Sequence, residues 1–206
     1  MFRYILFFSL SILPVFSNSS LEEHLANHGL HHDNIEGYIT PSQLTGFNQV
    51  LQSHPNIVSI AEIGLKGGQS AENFFQHCEN LEQYLSFDVN QRPHTKFVAN
   101  YLSNKYRTKF HFVPGDSKVT IPLYKSLFPD DKYDLIYIDG DHSYHGVVQD
   151  IMNSKNLAHD NSILWINDYS SDTVQEAVAA CVKMNLIFID DYHSINDRTW
   201  VQVRYR

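Results

Sequence analysis

From residue 57 onward the chain alternates short apolar runs with longer polar segments whose apolar residues recur every three or four positions. Few folds accept such a sequence. The runs are Ile57 to Ile63, Tyr84 to Val89, Phe110 to Val113, Tyr133 to Ile138 and Ser162 to Ile166. Each has the length of a strand and is apolar at nearly every position, as a strand covered on both faces must be. Between them Ser70 to Cys78, Pro93 to Tyr106, Val119 to Phe128 and Tyr144 to Leu157 carry helical spacing. The repetition predicts an α/β, Rossmann-like, doubly wound sheet. After a further helix, Thr173 to Met184, come Leu186 to Ile189 and Thr199 to Arg204. There Val201, Val203 and Tyr205 alternate with Gln202, Arg204 and Arg206, and Asn196-Asp197 lies in the preceding turn. This pattern closes the sheet with an antiparallel pair, giving seven mostly parallel strands and an antiparallel C-terminal strand.

At 206 residues the chain has room for one domain of this kind and a short N-terminal extension. Lys and Arg number 15 against 23 Asp and Glu, so the basic field that nucleic-acid binding uses is lacking and a nucleic-acid partner is not expected. Cys78 and Cys181 are too few for a disulfide scaffold or a four-cysteine zinc site, and they fall in helices expected on opposite faces, as free thiols. Met1-Phe2-Arg3 is a cationic start, Tyr4 to Phe16 an apolar run, and Val15-Phe16-Ser17 a cleavage-like end. Residues 1–17 therefore read as a signal peptide, the protein as exported to the periplasm or medium, and the run as shorter than the ~20 residues of a membrane span; the alternative is a hydrophobic helix packed on the domain of a cytoplasmic or membrane-tethered protein. Residues 18–56 form a leader with His24, His28, His31 and His32, ending in a cap helix over Ser42 to Gln52. His24 and His28 have the spacing of a zinc-binding pair, but Gly29 interrupts the segment and it reads as a solvated leader. Residues 57–206 form the domain proper.

The first strand runs into Glu62-Ile63-Gly64-Leu65-Lys66-Gly67-Gly68-Gln69-Ser70. A glycine-rich turn from strand to helix lets backbone approach a ligand and aims helix amides at it. The dinucleotide fingerprint is not met, because Lys66 stands where its second glycine belongs. What remains, E-x-G-x-x-x-G-x-S through Glu62, Gly64, Gly68 and Ser70, resembles motif I of class I S-adenosylmethionine-dependent methyltransferases. Asp88 ends the second strand about 20 residues further on, where an acid reaches a ribose hydroxyl. Asp116 follows the third strand. The resemblance implies adenine as its partner, and a helix cap explains it as well.

Tyr137-Ile138-Asp139-Gly140-Asp141-His142-Ser143-Tyr144 crowds ionisable groups at the carboxyl end of strand four, where an open sheet binds its ligand. Ile-Asp-Gly-Asp-His-Ser-Tyr resembles the small O-methyltransferase-like branch that includes sugar and macrolide methyltransferases and relatives described as cephalosporin hydroxylases. Asn167-Asp168-Tyr169 is similar to the Asp-Asp-Tyr of its metal-dependent members. The resemblance implies S-adenosylmethionine as cofactor, a small-molecule hydroxyl as acceptor, and a magnesium or manganese ion on Asp139, Asp168 and Asn167. Asn167 replaces an acid and weakens that set. With Asp139 and Asp168, His142 completes the expected catalytic group, as general base or as a structural group. Asp141 caps the next helix or joins the ligands. Two other readings use the same fold: an exported binding protein without transfer activity, and a hydroxylase-like enzyme.

Overall fold

The computed structural model describes residues 20–31, 35, 39, 41–195 and 198–206. The proposed signal peptide, His32 and the Asn196-Asp197 turn lie outside the described residues. In chain order the elements are α1 (Leu21–Ala26), α2 (Pro41–Gln52), β1 (Ser59–Ile63), α3 (Gln69–His77), β2 (Gln83–Asp88), α4 (Pro93–Tyr106), β3 (Phe110–Pro114), α5 (Ser117–Leu127), β4 (Tyr133–Ile138), α6 (Tyr144–Ser154), β5 (Ala158–Asn167), α7 (Asp172–Lys183), β6 (Ile187–Ile195) and β7 (Arg198–Tyr205). The seven strands form one sheet in the order β3-β2-β1-β4-β5-β7-β6. β1 to β5 pair in parallel, and β7 runs antiparallel to both β5 and β6. The winding reverses between β1 and β4, which opens a crevice at their carboxyl ends.

The near-continuous apolar runs are explained by burial on both faces. Ile60, Tyr84, Leu135, Tyr137 and Trp165 face the layer of α1 to α4. Ala61, Leu85, Ile136, Ile138 and Leu164 face the layer of α5 to α7. The cap helix belongs to the core: Phe47 of α2 lies edge-on to Phe74 and Trp165, with ring centres 5.1 and 5.0 Å apart. Cys78 and Cys181 are buried free thiols in the two opposite layers.

The histidine leader is packed rather than solvated at its first turn. Half-buried His24 stacks on Phe97 and Tyr101 of α4 at 4.6 and 4.4 Å, and His28 Nδ1 bonds the His24 carbonyl at 2.8 Å. Ser20 caps this turn and forms a reciprocal box with Glu23. β5 begins four residues before the apolar run Ser162 to Ile166 because Tyr133 pairs with Ala158 and Leu135 with Ile163, the extra residues of this register shift lying on β5. Among the described residues no helix is long and apolar enough to cross a membrane.

Candidate active site

A cavity of about 590 Å³ opens over the carboxyl ends of β1, β2, β3 and β4. Gly64, Asp88, Asp116 and His142 of the expected set line it, together with Lys66, Thr95, Ser117 and Asp141. Gly64 has a φ of 100°, and a Cβ there would lie 2.2 Å from the Asp139 carbonyl oxygen. Only glycine lets the end of β1 turn this close to the end of β4.

Asp88 stands on the cavity wall with both carboxylate oxygens tied to backbone. Its Oδ2 accepts from Lys66 N–H at 3.0 Å and its Oδ1 from Asn90 N–H at 2.7 Å. A carboxylate has about four acceptor positions, so each oxygen keeps one for a diol. Asp116 accepts from Lys118 N–H at 2.9 Å as the cap of α5 while facing the cavity, so the cap role is present in the fold. Thr95 is nearly fully buried on the cavity wall, and its hydroxyl has no partner among the described residues.

Glu62, Gly68 and Ser70 do not line the cavity. Glu62 lies beneath the loop, accepting from the Ser70 hydroxyl and from Ser86 Oγ at 3.0 Å. Burial pushes its carboxyl up to about 8, against the two serine hydrogen bonds that favour ionisation. It buttresses the junction of β1, β2 and α3. Gly68, with φ 73°, caps α3, and a Cβ there would lie 2.4 Å from Val98 Cγ1.

Beside the cavity, the ends of β4 and β5 bring Asp139, His142, Asn167 and Asp168 together. Asp139 is buried. Its Oδ1 meets His142 Nε2 and the Asn167 amide nitrogen, each at 3.0 Å, and Lys66 Nζ at 3.3 Å. The other ring nitrogen of His142, Nδ1, is 3.2 Å from Asp168 Oδ2. With an acid at each nitrogen, chiefly the hydrogen bond to Asp139, the imidazole is held above its ordinary value despite partial burial. Those same contacts hold Asp139 below the usual carboxylate range, against its burial. Thr173 of α7 fixes the loop by donating to the His142 carbonyl at 2.9 Å.

Ligand atoms of Asp139, His142 and Asp168 lie within 4.8 Å of one another, a spacing that suits a cation. Asn167, expected as an oxygen ligand, instead turns its N–H toward Asp139, because a carboxylate repels an amide oxygen and accepts from an amide nitrogen. Asp141 caps the turn into α6 by accepting from Ser143 N–H at 3.0 Å. Its carboxyl carbon would be 2.3 Å from a Cβ on Gly146, so Gly146 leaves room for it.

Lys66 is the site residue that sequence reasoning passed over. Its φ is 46°, and Asn90 and Asp168, with φ of 54°, share the left-handed backbone. Three of the five such non-glycine residues among the described residues thus lie at this one edge, where strain is tolerated for function. The available signal was Lys66 itself, a side chain at the fingerprint's second glycine position.

A family model described as a methyltransferase domain matches residues 61–169, just over half of the chain and the carboxyl ends of β1 to β5. The chain belongs to the methyltransferase-domain family. Solved methyltransferases share its fold. One from Podospora anserina, bound to S-adenosylhomocysteine (SAH), is 16% identical with a TM-score of 0.68, covering 90% of this chain and 87% of that one. An O-methyltransferase from Bacillus cereus in complex with SAH is 11% identical with a TM-score of 0.65, covering 94% of each. The N-methyltransferase NodS from Bradyrhizobium japonicum, also with SAH, is 14% identical with a TM-score of 0.60, covering 91% and 99%. No curated protein matches the chain in sequence. The neighbours include both O- and N-methyltransferases, so the fold leaves the acceptor of this methyltransferase domain open.

Proposed function

We propose that the protein is an S-adenosylmethionine-dependent methyltransferase acting on a hydroxyl group of a small molecule. The observation that carries the reading is Asp88, whose carboxylate stands at the end of β2 on the cavity wall with both oxygens pre-oriented by backbone N–H groups. The cavity suits a nucleoside: a diol acceptor at Asp88, a second acid at Asp116, and the unpartnered Thr95 hydroxyl in the first turn of α4. The SAH-bound neighbours support the same cofactor. Glu62, Gly68 and Ser70 serve it indirectly, by holding the loop that carries Gly64 and Lys66.

When bound, S-adenosylmethionine supplies a methyl group on a positively charged sulfur. The chain must then hold an acceptor oxygen in line with that group and take its proton. His142 lines the cavity and is fixed by Asp139 behind it and Asp168 beside it. We assign the proton to its Nδ1, since Nε2 is engaged by the buried Asp139, and Asp168, the more exposed of the two acids, must turn aside from Nδ1 to admit the acceptor. The need for such a base favours a hydroxyl over an amine, and the O-methyltransferase-like motif Ile138 to Tyr144 points the same way. Magnesium or manganese fits this cluster poorly, since Asn167 offers an N–H and one oxygen of Asp139, Oδ1, already carries three protein donors, the Lys66 ammonium among them.

The test is binding of SAH by calorimetry to the wild type and to Asp88→Ala. Loss of two hydrogen bonds to a charged group, each worth ~1.5–3 kcal/mol, should weaken binding by at least about tenfold. Equal affinity in a folded Asp88→Ala protein would remove the cofactor assignment.

A further inference from the structure

Lys66 occupies a backbone position that suits glycine, and its side chain crosses the sheet edge to the most buried acid of the reaction cluster. A lysine persists at a φ of 46° where its side chain is needed. Here Nζ lies 3.3 Å from Asp139 Oδ1, with the lysine side chain 19% exposed and that of Asp139 6%. Asp139 Oδ1 also takes His142 Nε2 and Asn167 Nδ2, so this one oxygen carries three protein donors and only Oδ2 is left for a further ligand. A divalent ion with oxygen ligands would need that same carboxylate. It would have to displace the ammonium or sit a few ångströms from it, where like charges repel strongly. The spacing of Asp139, His142 and Asp168 would otherwise admit an ion.

We infer that Lys66 is a positioning residue whose tethered ammonium supplies, from within the chain, the positive charge that a divalent ion would bring to the Asp139 cluster, and that it keeps such ions out. Asp139 is thereby held in place against His142 without a metal. The inference deepens the methyl-transfer reading and rests on it for its meaning, but its test does not depend on turnover.

Two variants separate charge from fold. Lys66→Gly suits the left-handed backbone and removes the ammonium, while Lys66→Met keeps the length of the side chain without its charge. Mn²⁺ binding to chelator-treated protein is measured by calorimetry and by loss of the free-ion signal in electron paramagnetic resonance. The wild type and Lys66→Arg are expected to bind Mn²⁺ no tighter than about millimolar, and both uncharged variants at least about tenfold tighter. Adding Asp139→Asn to Lys66→Gly should abolish the gain. Tight Mn²⁺ binding by the wild type would overturn the inference, as would an absent gain in Lys66→Gly or Lys66→Met shown by melting to be folded. SAH binding by the wild type is measured alongside. Its loss would remove the methyl-transfer reading while the Mn²⁺ comparison still judged Lys66.

Discussion

Glu62 and Asp88 are both acids on neighbouring parallel strands, yet their surroundings give them opposite work. Asp88 faces the cavity with backbone N–H partners, whereas Glu62 is sealed beneath the loop among serine hydroxyls. With its carboxyl raised from 4.5 to about 8, Glu62 is protonated in the fold but ionised in the unfolded chain between those values. Folding takes up a proton across that window, so stability falls as pH rises through it, by an amount on the order of a few kcal/mol. Glu62→Gln should keep the serine contacts and flatten the decline in melting temperature between pH 6 and 8. Asp150, raised to about 6, continues to contribute a slope at lower pH in both proteins. An unchanged pH profile in Glu62→Gln would show that Glu62 does not titrate there. His142 works in the other direction. As a base it acts only when neutral, and its two acids hold it above 6.5, so the acid limb of kcat/KM for any accepted substrate should fall at a pH above that value. A limb below 6.5 would take the proton-accepting role away from His142.

At the scale of elements, the site depends on how closely strand ends can approach. Gly64 N–H donates to the Phe87 carbonyl and Asp139 N–H to the Ile63 carbonyl, each at 2.8 Å, so the loop leaves β1 while still stitched to β2 and β4. Gly64→Ala must place a Cβ against the Asp139 backbone and hold alanine at a φ of 100°, which should cost roughly 2–4 kcal/mol and shift Asp139 from His142. Denaturant unfolding reads the first effect; a midpoint equal to that of the wild type would contradict the close approach. Helix and strand positions were legible in the apolar spacing, as Pro93–Tyr106 and Tyr133–Ile138 illustrate. The early start of β5 was not, because Ala158-His159-Asp160-Asn161 is polar and becomes strand through pairing with Tyr133 and through the 3.0 Å contact of His159 with Asp134.

For the molecule as a whole, cofactor binding and folding are linked, since the cavity exists only when β1 to β4 are assembled. SAH at about 100 times its Kd should add ~2.7 kcal/mol of stability and, in a domain of this size, raise Tm by roughly 5–10 °C. No shift at millimolar SAH would count against the nucleoside site. The sequence by itself determined the layered α/β winding, because strands buried on both faces leave a readable run of apolar residues. It also marked the acids at strand ends, because a charge at that place in an open sheet needs a reason. Tertiary structure alone decided which acids face the cavity, because Glu62 and Asp88 differ in what α3 and the loop lay over them and not in their own chemistry. It likewise decided the orientation of Asn167 and the reach of Lys66 to Asp139. Both depend on residues 73 and 28 positions away from that acid being brought within 3.3 and 3.0 Å of it, a proximity that no local pattern encodes.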